Sequence, residues 1–140
     1  MALVYFDASA LVKLCVAEQG SALASALWNR ADVVVTSRLA DTELRATLAA
    51  GERAGVLDPV ARRRALDRWT ALWSALHVVE LTAQVADAAA ELASGPHPLR
   101  GGDAVHVASA LTVAHDDTLV AAWDEQVALA ARDRRLRVLP

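Results

Sequence analysis

The sequence predicts an α/β fold, a three-layer α/β/α sandwich built around a five-stranded parallel sheet. Three observations predict it. Short apolar segments alternate with helical ones along all 140 residues. The apolar segments, such as Leu3-Val4-Tyr5-Phe6, run continuously instead of alternating in and out, as strands covered on both faces do. No Asn-Gly or Asp-Gly hairpin signal separates them, so helical crossovers join the strands.

The first strand covers residues 3–6 and ends at Asp7. Helical sequence follows over 8–17 and again over 21–28. Residues 33–36 form a β-branched second strand, and Ser37 can cap a helix to about residue 54. Asp58-Pro59 places a cap and an N1 proline before a helix to about residue 76. Residues 78–81 read as the third strand, and Thr82 caps a helix to residue 93. Gly95-Pro96-His97-Pro98 breaks the chain. A helix over 102–114, a strand over 119–121, a short helix from an Asp124 cap to about 131 and a strand over 136–139 complete the order. No repeat or linker divides the chain, so residues 1–140 are read as a single domain.

Composition narrows the function. With 55% hydrophobic and 22% charged residues, intrinsic disorder is excluded. No apolar run reaches the roughly 18 residues of a membrane-spanning helix, so a soluble chain is expected. The opening MALVYFDAS reads as a strand, not a secretory signal. The single Cys15 excludes a disulfide framework and a multi-cysteine metal site, which suits a cytoplasmic location. A net charge of −3 excludes indiscriminate nucleic-acid coating, so any RNA contact needs local basic patches. Lys13 is the lone lysine among arginines, a skew that coding bias and phosphate recognition both produce.

In a parallel sheet, ligands bind outside the carboxyl ends of the strands, near the topological switch point. Four acids from four segments reach that rim. Asp7 follows the first strand, Asp124 follows the fourth, Asp103 begins the helix leading into the fourth, and Glu43 lies two turns into the helix after the second. Asp32, Asp116, Asp117 and Asp133 precede strands, at the opposite end. Asp41 is a decoy for Glu43, because residues two apart on a helix face different ways. Asp41 is read as ion-paired with Arg38 and Arg45, whereas Glu43 borders the apolar stripe of Ala40, Leu44, Thr47 and Leu48. Clustered carboxylates repel unless a cation neutralises them. Oxygen ligands without cysteine point to a hard ion, Mg²⁺ or Mn²⁺, and to phosphodiester hydrolysis by metal-activated water.

The segments carrying these acids resemble the PIN-domain family, and within it the VapC-type toxins of toxin–antitoxin pairs. YFDASALVKL is similar to the family's opening, TSRLADTELRATLA to its second motif, LRGGDAVHVASAL to its third and LVAAWDEQVALAA to its fourth. The four occur in the family's order over essentially the whole chain. The resemblance implies a parallel sheet in the order 3-2-1-4-5, divalent metal at Asp7, Glu43, Asp103 and Asp124, cleavage of single-stranded RNA and an antitoxin partner; a homodimer supported by the helices of 8–28 and 37–54 is also expected. Ala122 stands where the fourth motif commonly carries Thr or Ser, so Asp124 is either a ligand or a helix cap. Gly101-Gly102 also departs from the family's usual residues before the third acid.

Other residues carry paired readings. Ser9 orients Asp7 or is an ordinary first-turn hydroxyl. Lys13 approaches phosphate or snorkels to solvent. His106 relays protons or is a buried histidine satisfied by a neighbour, and His77, His97 and His115 show no metal spacing. Trp123 stacks a base or is a rim or core tryptophan, and Trp69 with Trp73 marks core or a partner interface. Arg62-Arg63-Arg64 reads as a solvated face, while Arg38, Arg45 and Arg100 are candidates for RNA phosphate. Two rival functions stand beside the endoribonuclease. One is a small-molecule phosphatase with Asp7 as nucleophile, which lacks the second acid that chemistry uses, and the other is a binding module without turnover. An antitoxin arginine aimed at the acidic rim, with an apolar tail beside the helices of 8–28 and 37–54, is the expected silencing contact.

Overall fold

The computed structural model describes residues 1–140. In chain order the elements are β1 (Leu3–Phe6), α1 (Ala8–Cys15), α2 (Ser21–Arg30), β2 (Val33–Ser37), α3 (Leu39–Arg53), α4 (Pro59–Ala75), β3 (His77–Val79), α5 (Ala83–Ala93), α6 (Gly101–Val113), β4 (Thr118–Ala121), α7 (Glu125–Asp133) and β5 (Arg137–Leu139). The strands form one parallel sheet in the order β3-β2-β1-β4-β5. No helix is long and apolar enough to cross a membrane.

The layering follows from the path. The chain steps outward from β1 to β3, then returns past β1 to β4 and β5. Right-handed crossovers on two legs running in opposite directions put their helices on opposite faces. Accordingly α1 to α4 share one core, and α5 to α7 share the other. β1 feeds both: Leu3 and Tyr5 enter the core under α5–α7, while Val4 and Phe6 enter that under α1–α4. A central strand buried on both faces therefore needs an unbroken apolar run, as the sequence has.

The helix starts predicted from single residues are present. Asp58 accepts a hydrogen bond from the Ala61 N–H at 2.7 Å, Thr82 from Val85 at 3.2 Å and Asp124 from Val127 at 2.9 Å. Ser37 ends β2 and its hydroxyl accepts from Leu39 N–H at 3.1 Å, so it serves the start of α3 from just outside.

Three local expectations are corrected. β3 lies one residue earlier than the 78–81 reading and excludes Glu80 and Leu81. Its pairing ends at Ser37↔Val79, because β2 turns into α3 there and the Arg38 N–H donates to the Val79 carbonyl. α1 stops at Cys15, since Val16 is extended. Arg38 does not pair with Asp41: its guanidinium grips Glu80 through two hydrogen bonds and lies over the Trp73 ring.

Candidate active site

β1 and β4 are neighbours, and the connections leaving them diverge to opposite faces, so a crevice opens between their carboxyl ends. It forms a cleft of about 370 Å³ lined by Asp7, Glu43, Asp103 and Asp124. Lys13, Glu18, Arg100 and His106 also line it. The four acids read from the sequence thus meet in one place.

Each acid is fastened by one oxygen. Asp7 caps α1, and its Oδ1 accepts from the Ala10 N–H at 2.9 Å and from the Ser9 hydroxyl at 2.6 Å. Ser9 also accepts from the Trp123 N–H at 3.0 Å, so the hydroxyl joins the loop after β1 to the loop after β4. Asp124 gives its Oδ1 to the start of α7. It is therefore a helix cap that also lines the cleft. Glu43 accepts through Oε1 from His106 Nε2 at 2.6 Å. Asp103, in the first turn of α6, has Oδ2 3.4 Å from Arg100 Nε. The second oxygen of each acid has no protein hydrogen-bond partner, and none of the four is sealed from solvent.

Burial pushes the Asp7 carboxyl above its ordinary range, and the nearby Asp124 charge acts in the same direction, against the hydrogen bonds from Ser9 and Ala10. A buried acid that shares a cleft with another acid resists ionising until a cation arrives. The free donors are all carboxylate oxygens, the set a hard divalent ion prefers. No three His, Cys, Asp or Glu groups converge tightly enough to enclose an ion unaided. Mg²⁺ does not need such an enclosure, because it binds through one or two carboxylates and keeps several waters.

Glu43 is steered from two sides. His106 is 2% exposed, and its Nδ1 lies 2.8 Å from the hydroxyl of fully buried Tyr5. Burial raises the Tyr5 phenol well above its usual range, so it stays a neutral hydroxyl. On the other side, a Cβ at Gly102 would stand 3.1 Å from Glu43 Oε2. The glycine keeps the first turn of α6 clear for the carboxylate.

The decoy behaves differently. Asp41 Oδ1 accepts from Arg45 Nε and from Trp69 Nε1, each at 2.8 Å. Burial pushes this carboxyl up, but the Trp69 and Arg45 hydrogen bonds prevail and hold it below its ordinary value. Arg38 and Arg45 are therefore held by Glu80 and Asp41 and do not line the cleft; of the three arginines, only Arg100 does. Lys13 is held against the cleft wall by Glu18 at 3.1 Å and the Gln19 carbonyl at 2.8 Å, over the Trp123 ring. Trp123 does not line the cleft but packs against the core under α1–α4, and Gly20, at φ +94°, would drive a Cβ to 2.7 Å from its Nε1. Trp69 is core, and His97 pairs with Asp133 away from the cleft. Within the arginine run, Arg62 is not simply solvated but bonds Glu52 at 2.5 Å.

Two contributors escaped the sequence reading. Glu18 enters the cleft from the α1–α2 loop, where no periodicity marks it; only the lysine five residues earlier hints at a partner. Tyr5 reads as one more strand apolar, because its polar partner lies 101 residues away.

A model of the PIN domain matches residues 4–137. Ribonuclease VapC45 of Mycobacterium tuberculosis is 49% identical over 140 residues, covering 100% of this chain and 96% of that protein. Among solved structures, the sarcin–ricin-loop-cleaving toxin VapC20 of Mycobacterium tuberculosis superposes with a TM-score of 0.69 at 19% identity, over 91% of this chain and 94% of that one. A toxin–antitoxin complex from Klebsiella pneumoniae contains a chain that superposes with a TM-score of 0.65 at 15% identity, over 100% of this chain and 97% of its own length.

Proposed function

The chain belongs to the PIN-domain family, among its VapC ribonucleases, and from that premise we propose that it hydrolyses RNA phosphodiesters at the cleft of Asp7, Glu43, Asp103 and Asp124. One observation carries the assignment: four acids from four segments line one cleft, each anchored by one oxygen with the other unpartnered. A divalent ion, Mg²⁺ or Mn²⁺, supplies activation of the attacking water and neutralises charge at the phosphate. Asp7 and Asp103 are the firmest candidates to hold it, joined by Glu43 and Asp124.

The chain's own groups divide the remaining work. Asp7 and Asp124, on adjacent strand ends, set the floor, and the Ser9 hydroxyl fixes their spacing by bridging both loops. Arg100, whose side chain is 85% exposed at the mouth, meets RNA phosphate. Local attraction of this kind is needed, because a chain of net charge −3 repels RNA as a whole. No side-chain nucleophile is required, which leaves Asp7 free of the covalent role a phosphatase would give it.

As a VapC ribonuclease this chain is the toxin of a toxin–antitoxin pair, acting in the cytoplasm as one domain over residues 1–140 and forming a homodimer. Its antitoxin silences the cleft with a basic side chain that pairs with two of the carboxylates and competes with the metal. The test is cleavage of a loop-containing RNA by the purified chain. We expect product with Mg²⁺ and none with EDTA or with Asp7→Asn. Cleavage that persists unchanged in EDTA, or at full rate in that variant, overturns the assignment.

A further inference from the structure

We propose that Tyr5 and His106 form a positioning relay in which the Tyr5 hydroxyl holds the His106 ring and the ring holds the orientation of the Glu43 carboxylate. The inference rests on the reading of Glu43 as one of the acids that hold the divalent ion. Three elements take part: Tyr5 on β1, His106 on α6 and Glu43 on α3. The contacts are 2.8 Å between the Tyr5 hydroxyl and His106 Nδ1, and 2.6 Å between His106 Nε2 and Glu43 Oε1. Neither Tyr5 nor His106 reaches solvent to a useful extent, at 0% and 2% exposed.

A neutral imidazole has one donor nitrogen and one acceptor. If Nδ1 carried the proton, the lone pair of Nε2 would face a carboxylate oxygen at 2.6 Å, two acceptors in contact. The carboxylate therefore calls for a proton on Nε2, and the Tyr5 hydroxyl, which can donate or accept, holds the ring at Nδ1 so that Nε2 points at Glu43. The rings are also crossed at 73° with centroids 6.0 Å apart, which fixes the imidazole plane. With Oε1 pinned, Oε2 is left on the Gly102 side.

The arrangement matches the way ligand-bearing groups are held elsewhere, where a second partner sets the tautomer and ring orientation. Here the order is reversed: the carboxylate is the ligand and the histidine is its holder. Because Tyr5 lies on β1 two residues before Asp7, which directly follows the strand, the relay ties Glu43 on α3 to the backbone that carries Asp7.

Tyr5→Phe deletes only the hydroxyl and tests the relay without opening a cavity. Two readouts on the intact chain separate positioning from folding: ¹⁵N NMR of the His106 ring without metal, and Mn²⁺ affinity by EPR titration without RNA. We expect the Tyr5→Phe ring to lose its hydrogen bond at Nδ1, read as a shift of that ¹⁵N signal, and to gain orientational freedom, read as broadened or doubled ring signals. We expect Mn²⁺ affinity to fall on the order of 10-fold in that variant, with helix content unchanged. His106→Gln, which keeps an N–H donor, should retain more affinity than His106→Ala. Unbroadened His106 ring signals together with unchanged Mn²⁺ affinity in Tyr5→Phe overturn the relay. Unchanged Mn²⁺ affinity in Glu43→Gln overturns instead the reading of Glu43 as a metal-holding acid.

Discussion

At the amino edge of the sheet, Asp32 accepts a hydrogen bond from the Ala2 N–H at 2.7 Å, and Asp117 lies 3.5 Å from the chain's terminal ammonium. At the carboxyl edge, Asp7 and Asp124 sit at the ends of adjacent strands, and Glu43 and Asp103 join them from α3 and α6. Both edges are rich in acid. At the amino edge each of these carboxylates meets a backbone donor or a positive charge in an open setting. At the carboxyl edge the acids face one another across a cleft, partly buried, with one oxygen each left over. The difference teaches that acid content does not mark a site; several partly buried acids turned into one cleft do, because desolvation and like charge then both favour a bound cation.

The largest expected effect breaks the carboxyl edge directly. Asp7→Asn and Asp103→Asn should each lower Mg²⁺-dependent RNA cleavage by at least about 100-fold, since even outer partners of metal ligands cost 10–100-fold. Asparagine remains a good helix cap at position 7, so circular dichroism should show an intact fold. Full cleavage in either variant would erase the contrast between the edges.

Next in size is a comparison inside α3. Glu43→Gln should cost cleavage on the order of 100-fold, whereas Asp41→Asn should leave it within about twofold. Asp41 keeps an acceptor for Trp69 in that variant, and an exposed pair such as Asp41–Arg45 is worth only about 0–1 kcal/mol. Equal losses in the two variants would place the wrong face of α3 toward the cleft.

A third pair tests the room that Glu43 needs. Gly101→Ala meets nothing within 4 Å, and Gly102→Ala meets Glu43 Oε2 at 3.1 Å. Alanine in a helix is favoured over glycine by roughly 0.5–1 kcal/mol, so Gly101→Ala should raise the melting temperature with cleavage unchanged. Gly102→Ala should lower cleavage several-fold by displacing the carboxylate. If both variants cleave like wild type, the close approach has no functional weight.

The smallest effect is one of pH on the metal-free chain. The raised Asp7 pKa means its carboxyl favours folding fully below the ordinary 3.8 and loses that contribution as pH rises through the folded value. Asp41, whose pKa is lowered, works in the opposite sense and costs stability only as pH falls below 3.8. The metal-free melting temperature should therefore decline modestly from about pH 4 toward neutrality, and Asp7→Asn should flatten the decline. Differential scanning calorimetry at several pH values reads both, and a slope unchanged in Asp7→Asn would show that Asp7 does not carry it.

Much of this was legible before any coordinates. Val33-Val34-Val35 and Leu3-Val4-Tyr5-Phe6 announced buried parallel strands, Asp58-Pro59 and Thr82 announced helix starts, and Asp7 and Asp124 followed their strands directly. Glu43 could be separated from Asp41 because helical geometry turns neighbours two apart to different faces. All of these depend on residues close in sequence, whose conformational preferences and periodicity act locally. The sequence by itself thus determined the element order, the two helical layers required by strands apolar on both faces, and the rim on which four acids would gather. Only the tertiary structure decided who holds each acid. Glu43 met His106 across 63 residues, Tyr5 met His106 across 101, and Arg38 met Glu80 across 42 in place of the nearby Asp41. Such partners are chosen when packing closes long loops and brings buried polar atoms together. That choice carries no periodic trace in the chain, because it depends on which distant surface happens to lie opposite once both cores are full.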